Sequence, residues 1–213
     1  MWPFPTLTPL PEPDIETVRR RARVLVIDDQ AFPAQRNFTR DGYHFERWAS
    51  VKNLSQLTDG DWDLILLDIQ GVGINESPEL QGLGILKHIK KTNPAQAVII
   101  YSAQPQKVSS SDYLLLADAV LDKGMSYLEY KERVDELLLR HATPGYFIAA
   151  MNRELGESAA LVPHMVPKAM RAFRRGDTSG LRAYLGRSIN DQEKVDVLVN
   201  VVVVGIKVLA AVS

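Results

Sequence analysis

Apolar residues in the first two thirds of the chain occur in short runs that each end in polar residues. The runs consist mainly of Val, Ile and Leu, which is typical of strands buried on both faces of a parallel sheet. They are Val24–Ile27, Leu64–Leu67, Ala97–Tyr101 and Ala119–Leu121, with a weaker run at Tyr43–Trp48. Segments of helical spacing lie between or after them, at 31–41, about 51–58, 82–92, 105–117 and 126–141. This alternation predicts an α/β fold with a doubly wound, five-stranded parallel sheet.

The pattern changes after the breaker cluster Thr143-Pro144-Gly145. No strand-like alternation follows, and the spacing predicts helices over 146–156, 168–175, about 179–186, and from a cap at Asn190 or Asp191 to the end. At the other end of the chain, five closely spaced prolines favour an extended arm. We therefore predict a Pro-rich N-terminal arm at 1–22, an α/β domain at 23–143 and a small all-α domain at 144–213.

The predicted last helix is apolar around most of its circumference. Its strongly polar residues share one narrow stripe, formed by Glu193, Asp196, Asn200 and Lys207. Two of them interrupt the apolar segment, which argues against a membrane span. A small helical domain offers few partners for so much apolar surface. We therefore expect subunits to share it in a homo-oligomer that forms through the C-terminal helices.

The composition limits the classes of function. Of 213 residues, 46% are hydrophobic and 24% are charged, as in a globular protein with its own core. The absence of cysteine excludes a disulfide framework, a thiolate zinc site and a cysteine nucleophile, and it fits a cytoplasmic protein. The 25 basic and 26 acidic residues give a net charge of −1, whereas nucleic-acid-binding domains are usually strongly basic.

Polar residues able to do chemistry follow four of the predicted strands. Asp28 and Asp29 follow the first, and Asp68 ends another. Ser102 and Lys123 come at the ends of the last two. These positions lie at the carboxyl ends of the predicted parallel strands, and this edge of an open α/β sheet is where ligands bind. Carboxylates packed together repel each other unless a cation joins them, and Mg²⁺ accepts such oxygen ligands. A lysine and a hydroxyl beside them would stabilise a phosphoryl group on one carboxylate.

The segment 24–141 resembles the receiver domain of response regulators, a flavodoxin-like fold of two-component signalling. The resemblance is carried by Val24-Leu25-Val26-Ile27-Asp28-Asp29, Leu64-Ile65-Leu66-Leu67-Asp68, Ile99-Ile100-Tyr101-Ser102-Ala103 and Val120-Leu121-Asp122-Lys123. It implies that Asp68 is the phosphoacceptor and that Asp28, Asp29 and Asp68 hold Mg²⁺. It also implies that the backbone carbonyl of Gln70 completes the metal shell. Ser102 and Lys123 would then contact the phosphoryl group.

This resemblance implies a function in a bacterial, cytoplasmic phosphorelay. The expected partner is a sensor histidine kinase or a phosphotransfer protein. The chemistry would be limited to autocatalytic phosphotransfer and dephosphorylation, so we expect a phosphoacceptor signalling protein and not an enzyme. The helical C-terminal domain would pass the signal on by oligomerisation or partner binding, and we expect no nucleic-acid or membrane partner.

Other functions stay open beside this one. A nucleic-acid-binding regulator would use the basic residues of the C-terminal helices, which are Arg171, Arg174, Arg175, Arg182 and Arg187. A degenerate receiver would keep the site residues and act as a scaffold without turning over phosphate. A membrane-attached scaffold would use the last helix.

Three positions depart from the usual receiver pattern. The segment from Gln70 to Gln81 is longer than usual and rich in turn residues, which predicts a loop beside the phosphorylation site. Val120 stands where receivers commonly carry a switch aromatic, so the usual aromatic relay is in doubt. Gly124 replaces the usual proline after the lysine, which predicts that no cis bond is present there.

Overall fold

The computed structural model of the chain describes residues 13–51, 53–59, 61–103 and 115–212. Five parallel strands form one sheet in the order β2-β1-β3-β4-β5. They are β1 (Arg23–Ile27), β2 (His44–Trp48), β3 (Leu64–Asp68), β4 (Val98–Ser102) and β5 (Ala119–Asp122). This order defines the flavodoxin-like arrangement, in which the strand order reverses beside β1. The predicted fold class is therefore confirmed.

Helices cover both faces of the sheet. The first five are α1 (Ile15–Arg21), α2 (Gln35–Arg40), α3 (Ser55–Asp59), α4 (Gly82–Thr92) and α5 (Tyr127–His141). One face packs against α2 and α5, and the other packs against α3 and α4. The helix α5 begins at a capping box, in which the Ser126 side chain accepts from the Glu129 amide and the Glu129 carboxylate accepts from the Ser126 amide.

One prediction for this part of the chain needs correction, and another is described only at its end. Most of the predicted helix 105–117 lies outside the described residues, and its last residues, 115–117, are not α-helical. The predicted arm 1–22 contains α1, while 1–12 lie outside the described residues. The Asp14 side chain caps α1, and Arg19 forms an ion pair with Asp135 of α5 at 2.5 Å. Tertiary contacts therefore support a helix of seven residues that the sequence pattern alone did not reveal.

Four α-helices follow Thr143, and the described residues 144–212 contain no strand, as predicted. They are α6 (Pro144–Leu155), α7 (Met165–Arg175), α8 (Ser179–Ser188) and α9 (Gln192–Val212), with a 3₁₀ helix at Gly156–Leu161. The predicted cap of the last helix is present, because Asp191 Oδ1 accepts from the Lys194 amide at 3.0 Å. Pro167 lies in the first turn of α7, where proline costs no backbone hydrogen bond.

The C-terminal helices share one hydrophobic core with the first face of the sheet. A single cluster of buried side chains runs from β1, β3 and β4 through α5 into α6, α7, α8 and α9. A buried ion pair adds a polar link, since Asp118 accepts from Lys90 Nζ at 2.7 Å and from the Tyr146 hydroxyl at 2.9 Å. The α/β part and the helical part are therefore joined by packing as well as by the chain.

The last helix is covered in part by its own chain. It packs against α6, α7, α8 and α1, and its buried residues include Val195, Leu198, Val202 and Leu209. The predicted polar stripe faces solvent. The expectation that a second subunit shares these apolar faces did not allow for the cover that α1 adds, but apolar residues such as Val203 stay exposed. Oligomerisation itself stays a prediction.

One helix of the described residues, α9, is long and apolar enough to cross a membrane by length and composition alone. Its mean hydropathy is 2.3 over the most apolar window, of which 39% is buried inside the protein.

The packing of α9 depends on Gly205. A Cβ at this position would lie 2.7 Å from Phe173 Cε1 and 2.8 Å from Phe147 Cγ, both on buried rings. We expect Gly205→Ala to lower the free energy of unfolding by about 1–3 kcal/mol through overpacking. The matched control is Gly186→Ala in α8, where a Cβ meets nothing within 4 Å. This change should stabilise by about 0.5–1 kcal/mol because Ala favours a helix. Chemical denaturation followed by circular dichroism measures both, and equal stabilisation would contradict this packing.

A second prediction concerns His141 at the end of α5, which is fully buried against Tyr146 and Phe147. Burial lowers its pKa from 6.5 to about 4. Between these pH values the unfolded chain binds a proton that the folded chain does not, so stability should fall as the pH decreases. We expect wild type to lose about 3 kcal/mol relative to His141→Gln between pH 7 and pH 4. Urea denaturation across this range measures the difference, and a difference that does not vary with pH would refute the assignment.

Candidate functional site

The carboxyl edge of the sheet brings together side chains that are distant in sequence. Asp28 follows β1, Asp68 ends β3, and Ser102 ends β4. The strands that carry them are neighbours in the sheet, and Lys123 follows β5 at the next position along the edge. Since all strands are parallel, these side chains meet at one edge, where the strand order also reverses.

Three carboxylates converge at this edge. One oxygen from each of Asp28, Asp29 and Asp68 lies within 4.8 Å of the other two. Asp28 and Asp68 are buried, and Asp29 is exposed. Buried carboxylates this close together need positive charge between them. The donor set consists of hard oxygen ligands with an opening to solvent, so it fits Mg²⁺ with part of its water shell.

Lys123 supplies positive charge to both buried carboxylates. Its Nζ donates to Asp68 Oδ2 at 2.5 Å and to Asp28 Oδ2 at 3.1 Å. The lysine is fixed from the backbone as well, because the Lys123 amide donates to the Ser102 carbonyl at 3.0 Å. A single ammonium group therefore bridges two acidic side chains from neighbouring strands.

The two buried carboxylates differ in their proton affinity. Burial raises the pKa of Asp68 above its usual value, although Lys123 and the Gln70 amide oppose the shift. Burial also acts to raise the pKa of Asp28, but hydrogen bonds from Tyr101, the Gln30 amide and Lys123 outweigh it, and the pKa of Asp28 lies below its usual value. Asp28 is thus the more firmly ionised member of the pair.

The other predicted residues lie beside the carboxylates. Ser102 is fully buried at the end of β4, and the Gln70 amide donates to Asp68 Oδ1 at 3.2 Å. The proposed contacts of the Ser102 hydroxyl with phosphate and of the Gln70 carbonyl with a metal stay predictions. Val120 in β5 is partly buried and packs into the core between the sheet and the helices α3 and α4. The described residues contain no cis peptide bond at Gly124 or elsewhere.

The segment 70–81 is a loop, as predicted, and it folds against the acidic residues. Its Val72 side chain is buried, and Gln81 Oε1 accepts from the Gly71 amide at 3.1 Å. Gly71 has φ +80, and a Cβ there would lie 2.7 Å from Asp29 Oδ2. The loop therefore borders the site closely and limits where the Asp29 carboxylate can lie.

Two residues of the site were missed by sequence reasoning. The Tyr101 hydroxyl donates to Asp28 Oδ2 at 2.5 Å, and Arg47 Nη1 donates to the carbonyls of Asp28 and Gln30 at 2.8 and 2.9 Å. Tyr101 carries the only hydroxyl within the apolar run 97–101, which was a usable signal. Arg47 gave none, because its role depends on the pairing of β1 with β2.

Comparisons with known proteins give matches only among solved structures. No family model matches the sequence, and no curated protein matches it. The response regulator TrrA of Thermotoga maritima, solved in complex with Mg²⁺-BeF, is 24% identical, with 55% of this chain and 98% of TrrA covered and a TM-score of 0.45.

Two further matches are receiver domains. The receiver domain of the Francisella response regulator 1452 is 28% identical, with 56% of this chain and 98% of that chain covered and a TM-score of 0.47. A CheY-like receiver domain protein from Methanospirillum hungatei is 21% identical, with 56% of this chain and 95% of that chain covered and a TM-score of 0.46. The similarity to response-regulator receiver domains thus covers the N-terminal part, and a helical region follows it.

The close approach of Gly71 to Asp29 leads to a prediction. Gly71→Ala should weaken Mg²⁺ binding about tenfold, because the new methyl group would displace the Asp29 carboxylate from the acidic cluster. The matched control is Gly42→Ala, which has the same left-handed strain at φ +89 but meets nothing within 4 Å. Titration calorimetry measures both affinities. Unchanged Mg²⁺ affinity in Gly71→Ala, with the wild type binding normally, would exclude Asp29 as a ligand.

Proposed function

We propose that the chain is a two-component response regulator whose receiver domain is phosphorylated on Asp68 in a Mg²⁺-dependent step. The observation that carries the proposal is the position of the Asp68 carboxylate. It lies buried between two further carboxylates and a lysine at the edge of the sheet. Lys123 would neutralise the charge of a phosphoryl group on Asp68, and Asp28 and Asp29 would hold a metal ion beside it.

The transfer step follows from the residues around Asp68. A carboxylate oxygen of Asp68 attacks the phosphorus of a phosphohistidine or of acetyl phosphate, and the bond to the leaving nitrogen or oxygen breaks. Lys123 Nζ already lies within hydrogen-bond distance of Asp68 Oδ2. It would neutralise one phosphoryl oxygen, and the Ser102 hydroxyl would donate to another. Bound Mg²⁺ would supply further charge neutralisation, with Asp28, Asp29, Asp68 and the Gln70 carbonyl as its protein ligands. Attack by water on the acyl phosphate would restore Asp68.

This proposal sets the biochemical context. The phosphodonor would be a sensor histidine kinase or a phosphotransfer protein in the cytoplasm. Since the phosphoryl group is transferred to the protein's own side chain, the protein would be a phosphoacceptor and not an enzyme with a separate substrate.

The helical region would carry the output. Its helices share a core with the sheet face that packs against α5, which supports an output that responds to changes in the receiver without a flexible linker. The output would be partner binding or assembly. Because the chain covers the apolar faces of α9 only in part, homo-oligomerisation would use its remaining exposed apolar residues, such as Val203, or other surfaces of the C-terminal helices.

Nucleic-acid binding is a second candidate function, and one observation favours it. The solvent-facing side of α7 carries Arg171 and Arg175 without an acidic residue in the helix, and neither forms an ion pair among the described residues. By contrast, Arg182 on α8 pairs with Asp196. A polyanion such as nucleic acid would suit this face. Binding that weakens steeply with salt and depends on these two arginines would support it, and a lack of binding at physiological ionic strength would reject it.

Phosphorylation of Asp68 is the direct prediction. Incubation with acetyl phosphate and Mg²⁺ should add the mass of one phosphate to the intact protein, and omitting Mg²⁺ should abolish the addition. Asp68→Asn should remove it, because the amide cannot form the acyl phosphate. Asp122→Asn is the matched control, since this carboxylate lies beside Lys123 but outside the acidic cluster. Labelling that persists in Asp68→Asn would refute the assignment, and a wild type that is never labelled would favour a degenerate receiver that acts as a scaffold.

A further inference from the structure

A tyrosine hydroxyl takes part in the acidic site. Tyr101 is 1% exposed, and its hydroxyl donates to Asp28 Oδ2 at 2.5 Å. The ammonium group of Lys123 lies 5.0 Å from the centre of the same ring. Tyr101 therefore touches two of the groups that surround Asp68 from a side closed to solvent, and the proposed transfer step assigns it no role.

The donors around Asp28 leave a defined part of its carboxylate free. Oδ2 accepts from the Tyr101 hydroxyl and from Lys123, and Oδ1 accepts from the Gln30 amide at 2.7 Å. A carboxylate has about four acceptor sites, so the donors among the described residues leave about one, on Oδ1. Lys123 would be drawn towards a phosphoryl group on Asp68. Tyr101 would then be the remaining side-chain donor that fixes the rotation of the Asp28 carboxylate.

The position of the Tyr101 hydroxyl is itself fixed by aromatic packing. The ring packs edge-on against Phe32, with centroids 5.5 Å apart, and Phe32 packs edge-on against Tyr130 of α5 at 5.7 Å. All three residues are buried. A hydroxyl on a ring held in this way is preorganised, because the ring has few alternative positions to adopt.

We propose that Tyr101 is a positioning residue for Mg²⁺, which orients the Asp28 carboxylate so that its free Oδ1 site faces the ion or one of its waters. The inference rests on the proposed Mg²⁺-dependent phosphorylation of Asp68. Hydrogen bonds that orient a ligand carboxylate commonly change metal affinity by about 10–100-fold. The effect of Tyr101 should therefore fall on Mg²⁺ affinity and not on the transfer step of the metal-loaded protein.

The test compares Tyr101→Phe with a matched control in the same aromatic cluster. Tyr130→Phe also removes one buried hydroxyl, which donates to the Asp122 carbonyl at 2.9 Å and touches no carboxylate of the site. We expect Tyr101→Phe to weaken Mg²⁺ binding about tenfold by calorimetry and Tyr130→Phe to leave it unchanged. The acetyl phosphate reaction of Tyr101→Phe should be slow at low Mg²⁺ and return to within about twofold of wild type at saturating Mg²⁺.

The outcomes separate this inference from the proposed function. If wild type binds no Mg²⁺ and takes up no phosphate, the proposed function fails. If wild type does both and the two variants have the same Mg²⁺ affinity, Tyr101 has only a packing role and the inference is overturned. A slow rate for Tyr101→Phe that saturating Mg²⁺ does not restore would also overturn it. Thermal unfolding of both variants shows whether the fold is equally intact.

Discussion

The ammonium group of Lys123, shared between Asp28 and Asp68, is the interaction on which the site depends. Two buried carboxylates at adjacent strand ends would repel each other strongly without it, because the interior screens charge poorly. Burial still raises the pKa of Asp68, although Lys123 opposes the shift, whereas hydrogen bonds from Tyr101, the Gln30 amide and Lys123 keep the pKa of Asp28 below its usual value. A metal ion and a phosphoryl group would each change this balance, one by adding positive charge and the other by adding negative charge.

The site and the helical region are connected through one face of the sheet. Tyr101 contacts Asp28 at the site, and its ring belongs to the same buried cluster as α5 and the C-terminal helices. Close-packed cores respond to small displacements because few voids can absorb them. The helical region thus shares a core with the site, which supports the proposed output that stays attached to its receiver.

Much of this architecture was accessible from the sequence, for a physical reason. Parallel strands are buried on both faces, so Val24–Ile27 and Leu64–Leu67 stand out as apolar runs, and the residues that end such runs must meet at one edge. Tertiary contacts were less accessible. The short α1 depends on Arg19 pairing with Asp135, and α1 in turn supplies part of the cover of α9. The hydroxyl of Tyr101 was visible in the sequence, but its ring satisfied the apolar pattern of β4, and its partner Asp28 follows a different strand.

The proposed function requires Asp28 and Asp29 to form a metal site together with Asp68, the proposed phosphoacceptor. Crystals grown with Mn²⁺ test it directly, because Mn²⁺ takes the same oxygen ligands as Mg²⁺ and gives an anomalous signal. We predict one strong peak between the carboxylates of Asp28, Asp29 and Asp68, with the Gln70 carbonyl as a further ligand. A peak elsewhere, or no peak while Lys123 still bridges Asp28 and Asp68, would contradict the claim.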